Sequence, residues 1–223
     1  MGWQIGIDEA GRGPVFGAMF VVAAGVPDTA ELPDGVDDSK RLDADTRERL
    51  GTALRQIEAL QATTVRIDPE AIDANPGGLN ELTVQAQADA AKAVLETCNG
   101  ATTVIADACD TNPERARAAL RSELPNAETV IAEHGADERR PIVAAASILA
   151  KCAREAHVQD LADRYGSFGS GYPSDRRTRA FLARYLEEHE ELPPFARRSW
   201  KTSEEALAAA EQRSLDTFSD SPT

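Results

Sequence analysis

The chain has 223 residues, 42% of them hydrophobic, which is enough to bury one sizeable core. No apolar run approaches the ~20 residues that span a bilayer, and Met1-Gly2-Trp3-Gln4 has neither the basic start nor the apolar stretch of a signal peptide. A soluble, cytoplasmic protein is expected, and its formal net charge of −14 argues at first sight against a phosphate-rich partner.

Trp3 to Ile7 is a short apolar segment that ends in Asp8-Glu9 and runs into Gly11-Arg12-Gly13-Pro14, the pattern of a strand feeding a loop. Phe16 to Val26 is apolar and rich in β-branched residues and reads as the next strand, antiparallel to the first. Asp43 can cap a helix carrying Leu50 and Leu54, and Leu60 to Ile67 reads as a third strand. From Leu79 the spacing turns helical, with Leu82, Ala86, Ala90 and Val94 on one face, closing near Asn99-Gly100. Thr102 to Ala106 is a buried strand ending at Asp107, and Asn112-Pro113 starts another helix, since proline suits the first helical position. Thr129 to Ala132 gives a fifth strand, and Pro141 opens a long helix to about Arg164.

Three strands followed by alternating helix and strand imply an α/β fold with a mixed five-stranded sheet flanked by helices. Beyond Gly166 a glycine-rich loop leads to a helix over about Arg176 to Glu187, then a Pro193-Pro194 break and a final helix. The expected organisation is an α/β core over 1–165, a C-terminal loop and helical extension over 166–213, and a disordered tail over 214–223.

Of the 24 basic residues only Lys40, Lys92, Lys151 and Lys201 are lysine, set against 38 acids. That profile resembles proteins of a high-salt cytoplasm, where a Debye length of about 3 Å at ~1 M salt would leave an acidic surface scarcely repelling a duplex. The three cysteines, Cys98, Cys109 and Cys152, lack CxxC spacing, and His134, His157 and His189 lack ligand-like spacing, so no disulfide framework or zinc site is indicated.

Asp8 and Glu9 stand at a strand end, where side chains project from the sheet edge and ligand sites form. An acidic pair in so acidic a chain is ordinarily just solvated; its setting argues otherwise. The string GIDEAGRGP, Gly6 to Pro14, resembles the signature of the ribonuclease HII family. DSKRL from Asp38, GLNEL from Gly78, ADA from Ala106, AAASILAK from Ala144 and GSGYP from Gly169 follow in the family's order, so that the resemblance covers about Gly6 to Trp200. With the composition, it points to the archaeal, halophilic form.

The resemblance implies a ribonuclease H-like fold in which carboxylates converge on Mg²⁺ or Mn²⁺, and an endonuclease acting by two-metal catalysis on RNA–DNA hybrids and on ribonucleotide-containing duplex DNA, as a monomer. The residue types agree, because hard divalent cations take oxygen ligands and gathered carboxylates repel one another without one. By motif position Asp8, Glu9 and Asp107 are the implied catalytic metal ligands, with Asp110 better suited to cap the helix at Pro113. The family's fourth carboxylate is an aspartate ending A-K-V-x-R-D; here AKCARE puts Glu155 there, one methylene longer. Ser147, Lys151 and Glu155 fall on one helical face. Gly11, Arg12 and Gly13, with Tyr172, are implied to read the junction where a ribonucleotide precedes DNA, through its 2′-hydroxyl. Lys40, Ser147 and Lys151 complete the implied substrate contacts. In EHGAD, Gly135 stands where relatives usually carry lysine, so a basic contact is missing or falls to Arg139 or Arg140.

Two other readings compete. Another nuclease of the same fold, such as the type 3 ribonuclease H, is disfavoured by the arginine in GRG, and a non-catalytic hybrid-binding module with a decayed site would rest on Glu155 and Gly135. A Rossmann loop is excluded because Pro14 and a second strand follow the glycines where a helix should begin.

Overall fold

The structure, a computed structural model, describes residues 2–36 and 42–219, the stretch 213–219 by its backbone alone. Lys40 lies outside the described residues. The chain divides into two compact units that interleave along the sequence. The first runs to Ala10 and takes in Met19–Arg66 and Asn75–Glu155; the second comprises Gly11–Ala18, Ile67–Ala74 and the chain from Ala156 onward. The sequence-based boundary at residue 165 therefore differs from the division by packing, which falls within one helix.

The first unit is built on a five-stranded sheet. Strands β1 (Trp3–Ala10) and β2 (Met19–Pro27) pair antiparallel, in the register Asp8 opposite Val22. With β3 (Gln61–Ile67), β4 (Thr102–Asp107) and β5 (Thr129–Glu133) the order across the sheet is β3-β2-β1-β4-β5, and β4 runs parallel to both β1 and β5. The mixed sheet is the one the alternating pattern predicts.

Helix α1 (Ala44–Arg55) starts where Asp43 accepts the Thr46 amide at 2.7 Å, a side-chain cap of the expected kind. The short α2 (Pro69–Ala74) has no sequence counterpart among the predicted elements. Helix α3 (Gly78–Leu95) lies on one face of the sheet, where a Cβ at Gly25 would meet Val94 at 2.7 Å. Asn112 caps α4 (Pro113–Glu123) by accepting the Glu114 amide at 3.0 Å.

Helix α5 (Pro141–Tyr165) covers the opposite face. Its fully buried run Ala144, Ala145, Ala146 packs with Val22, Ala24 and Ile105 of the sheet. The approach is closest at Gly6, where a Cβ would stand 2.3 Å from the Ile142 carbonyl oxygen. Only glycine in β1 and small residues in α5 permit that distance.

The second unit has its own aromatic core. Phe16 sits edge-on to Phe168, Phe181 and Phe195 at ring-centroid distances of 5.4, 5.7 and 5.3 Å, packed with Leu182 and Leu186 of helix α6 (Arg176–His189). The predicted strand from Phe16 is thereby corrected: pairing in β2 begins at Met19, and Phe16 bridges Ala196 within the second core. The final helix, α7 (Lys201–Ser219), extends through 214–219, which the sequence reads as tail. Among the described residues no helix is long and apolar enough to cross a membrane.

Candidate active site

Because successive strand residues point to opposite faces, Gly6, Asp8 and Ala10 face α5 while Glu9 faces α3. The last paired positions of β1 and β4 are Ile7 and Ala106, so Asp8 and Asp107 are lateral neighbours one step further on. Asp8 is 6% exposed. Burial above all, then the charges of Glu9 and Asp107, push its carboxyl well above the usual carboxylate range, against the opposing pull of the Ser147 hydroxyl and the Glu9 amide. The amide of Glu9 donates to Asp8 Oδ1 at 2.8 Å.

Two neighbouring elements hold the other carboxylates. Gln87 of α3, fully buried, donates through Nε2 to Glu9 Oε2 and to the Asp107 carbonyl, each at 3.1 Å. Asp107 Oδ1 accepts the Ala136 amide at 2.8 Å, from a 3₁₀ turn (Ala136–Glu138) entered through Gly135 at φ 62°. Asp137, in that turn, is 4% exposed.

Among the described residues no three His, Cys, Asp or Glu side chains converge closely enough to hold a metal ion as they stand. Instead Glu9 accepts from Gln87 and Asp107 from the Ala136 amide, while both carboxylates still act on Asp8 through their charge. The donor chemistry nevertheless suits a hard divalent cation, being all oxygen, mutually repelling and next to the fully buried Ser147 Oγ, which pulls on Asp8 yet meets full hydrogen-bond geometry with no described atom.

Glu155 is not brought to this cluster. It follows Ser147 by eight residues on α5, about 12 Å along the helix axis, and its carboxylate pairs with Arg47 at 2.9 Å with 41% of its side chain exposed. The shared helical face thus carries Ser147 and Glu155 about two turns apart, with the Glu155 carboxylate turned to Arg47. Asp137 is a buried acid that the sequence does not single out, and its place four residues after the end of β5 is the available signal. Lys151 lies one turn beyond Ser147 and is half-buried. Asp110, buried, accepts the Asn112 amide at 3.1 Å, in keeping with a turn-forming role.

The second unit brings Gly11, Arg12, Gly13 and Tyr172 together. Gly11 takes φ 89°, open to glycine, and a Cβ at Gly13 would stand 3.3 Å from the Tyr172 ring. Val15 donates to the Gly171 carbonyl at 2.7 Å, tying the two loops by their backbones. Arg197, fully buried, holds the loop from below: it donates to the carbonyls of Gly11, of Arg12 at 2.6 Å and of Gly17 at 3.0 and 3.1 Å. Its guanidinium carbon lies 4.8 Å from the centre of the Trp200 ring, whose Nε1 donates to the Gly13 carbonyl at 3.2 Å. Neither Arg197 nor Trp200 stands out in the sequence, where buried and solvated arginines look alike.

A family profile described as ribonuclease HII matches residues 5–203. The chain belongs to the ribonuclease HII family. It is 48% identical to the ribonuclease HII of Halobacterium salinarum over 96% of this chain and 99% of that one, and 46% identical to that of Haloarcula marismortui over 96% and 100%. Among solved structures it is similar to the ribonuclease H2 of Pyrococcus horikoshii, with a TM-score of 0.86 and 35% identity over 94% of this chain and 99% of that chain. As a member of the ribonuclease HII family it is an endoribonuclease with the ribonuclease H-like fold that its motifs imply, and the relatives at 45–48% identity are from halophilic archaea, in line with its acidic, lysine-poor composition.

Proposed function

We propose that this ribonuclease HII hydrolyses the RNA strand of RNA–DNA hybrids and cuts duplex DNA at embedded ribonucleotides, with Mg²⁺ or Mn²⁺, leaving 5′-phosphate and 3′-hydroxyl ends. The observation that carries the reading is the crowding of Asp8, Glu9 and Asp107 at adjoining strand ends, with Asp8 buried and destabilised as an anion. A bound divalent cation supplies Lewis-acid activation of water and stabilisation of the leaving oxygen. Asp8, Glu9 and Asp107 hold it, and Asp137 takes the fourth place instead of Glu155. Gln87 orients Glu9, and the Ala136 amide orients Asp107. Ser147 and Lys151 face the scissile phosphate, Lys151 as a point charge. Gly11, Arg12, Gly13 and Tyr172 read the 2′-hydroxyl, and Lys40 is kept as a phosphate contact on its motif position alone.

The non-catalytic reading draws on Glu155 and Gly135. Glu155 stands apart from the carboxylates, and Gly135 occupies a left-handed backbone position that glycine fills best. The deciding experiment is cleavage of a DNA duplex carrying one ribonucleotide, with Mg²⁺, with Mn²⁺ and with chelator. Metal-dependent cutting lost in Asp8→Asn and Asp107→Asn is expected; full turnover by either variant refutes the site.

A further inference from the structure

We infer that the solvent face of α6 is the phosphate-binding surface on which the second unit seats the duplex. The inference rests on the reading of the substrate as a nucleic-acid duplex and adds the place where its backbone is gripped. In a chain of 38 acids and 24 bases, residues 176–184 read Arg-Arg-Thr-Arg-Ala-Phe-Leu-Ala-Arg, with no acid among them. Thr178, Phe181, Leu182 and Leu186 form the buried side of α6, so the helical period turns Arg176, Arg177 and Arg179 outward, and all three are exposed. None of the three forms a salt bridge among the described residues. Asp175, the acid before them, is occupied: it accepts the Ser170 amide at 2.7 Å, the Ser170 hydroxyl at 2.8 Å and the Arg177 amide at 2.9 Å.

Those bonds also fix the arginines relative to Tyr172. Thr178, buried in α6, accepts the Gly171 amide at 3.0 Å and donates to the Phe168 carbonyl at 2.9 Å, so the loop bearing Tyr172 is bolted to the first turn of the helix. Three exposed guanidinium groups beside such a loop, none in a salt bridge among the described residues although Arg177 feels the charge of Asp175, match the spacing-tolerant chemistry of a phosphate backbone. In strong salt, long-range steering is screened within a few Å, and direct contacts of this kind remain.

The test compares the full chain with Arg176→Gln/Arg177→Gln/Arg179→Gln, reading fluorescence anisotropy on an all-DNA duplex and on the same duplex with one ribonucleotide, across a potassium chloride series. The triple variant should bind both duplexes on the order of tenfold more weakly and lower the slope of log K against log salt by about 2.7, while the corresponding triple lysine variant keeps the slope. If the triple glutamine variant melts early, Arg179→Gln alone should lower the slope by about 0.9. An unchanged slope, or a loss confined to the ribonucleotide-bearing duplex, overturns the inference. If the wild-type chain cuts the ribonucleotide duplex while the slope is unchanged, only this inference falls; if the wild type does not cut it, the functional reading falls too.

Discussion

Trp200 donates its indole hydrogen to the carbonyl of Gly13 at 3.2 Å, while the guanidinium of Arg197, beneath the same ring, takes the carbonyls on either side of that glycine. A loop of glycines, floppy by composition, is thereby held by its own acceptors. Arg197→Lys keeps the charge but cannot span three carbonyls. It should cost about 3 kcal/mol of stability in thermal melts and reduce kcat/KM on a single embedded ribonucleotide several-fold more than on a long hybrid. Equal losses on the two substrates would reduce Arg197 to a packing residue.

Tyr172 packs over Gly13, where a ring can meet a sugar. Tyr172→Ala should weaken cutting at one embedded ribonucleotide by roughly tenfold or more, and cutting of a continuous hybrid much less, because a long RNA strand offers many alternative registers. Parallel kinetics on both substrates check it, and proportionate losses count against junction reading.

The fourth carboxylate is decided by a pair of variants. Asp137→Asn should lower the rate by roughly a hundredfold, whereas Glu155→Gln should leave the rate and the metal titration near wild type and cost on the order of 1 kcal/mol of stability through the partly buried ion pair with Arg47. The reverse outcome restores Glu155 to the site.

Asp8 makes the metal-free chain sensitive to pH. Its folded pKa is raised above the ordinary 3.8, chiefly by burial, so ionising it disfavours folding: stability is highest below about that value and declines as the pH rises towards the raised one. Asp8→Asn removes the decline. In chelator at neutral pH the variant should melt a few degrees above wild type, and added Mg²⁺ or Mn²⁺ should raise the wild-type melting temperature but not the variant's. A variant that melts lower in chelator would contradict the electrostatic account.

Much of the fold was legible because local chemistry and tertiary packing agree. Asp43 and Asn112 cap the helices they precede, and the apolar run closing at Asp107 is a strand that ends there. The place of Asp8 and Glu9 near the end of β1 was readable from the apolar run before them. The rest falls where pattern carries no address. Phe16 belongs to an apolar run continuous with β2, but nothing in hydrophobicity says that its ring enters a different core. Glu155 satisfies helical periodicity, which specifies a face and not a distance along it. Gln87 and Arg197 act through long-range contacts, and a buried polar residue such as Asp137 carries no local mark of its burial.

Gly6 has a consequence for how such a site can change over time. With no side chain between β1 and Ile142, the gap between strand and helix is a backbone-to-backbone distance. Cores elsewhere drift as leucine, methionine and valine exchange and rotamers adjust. Here there is no rotamer to adjust, so the spacing that sets Asp8 beside Ser147 works as a ruler without moving parts. The surrounding apolar residues are free to vary while that calibration stays constant, and a lineage that lost the glycine would have to rebuild the helix before it could recover the chemistry.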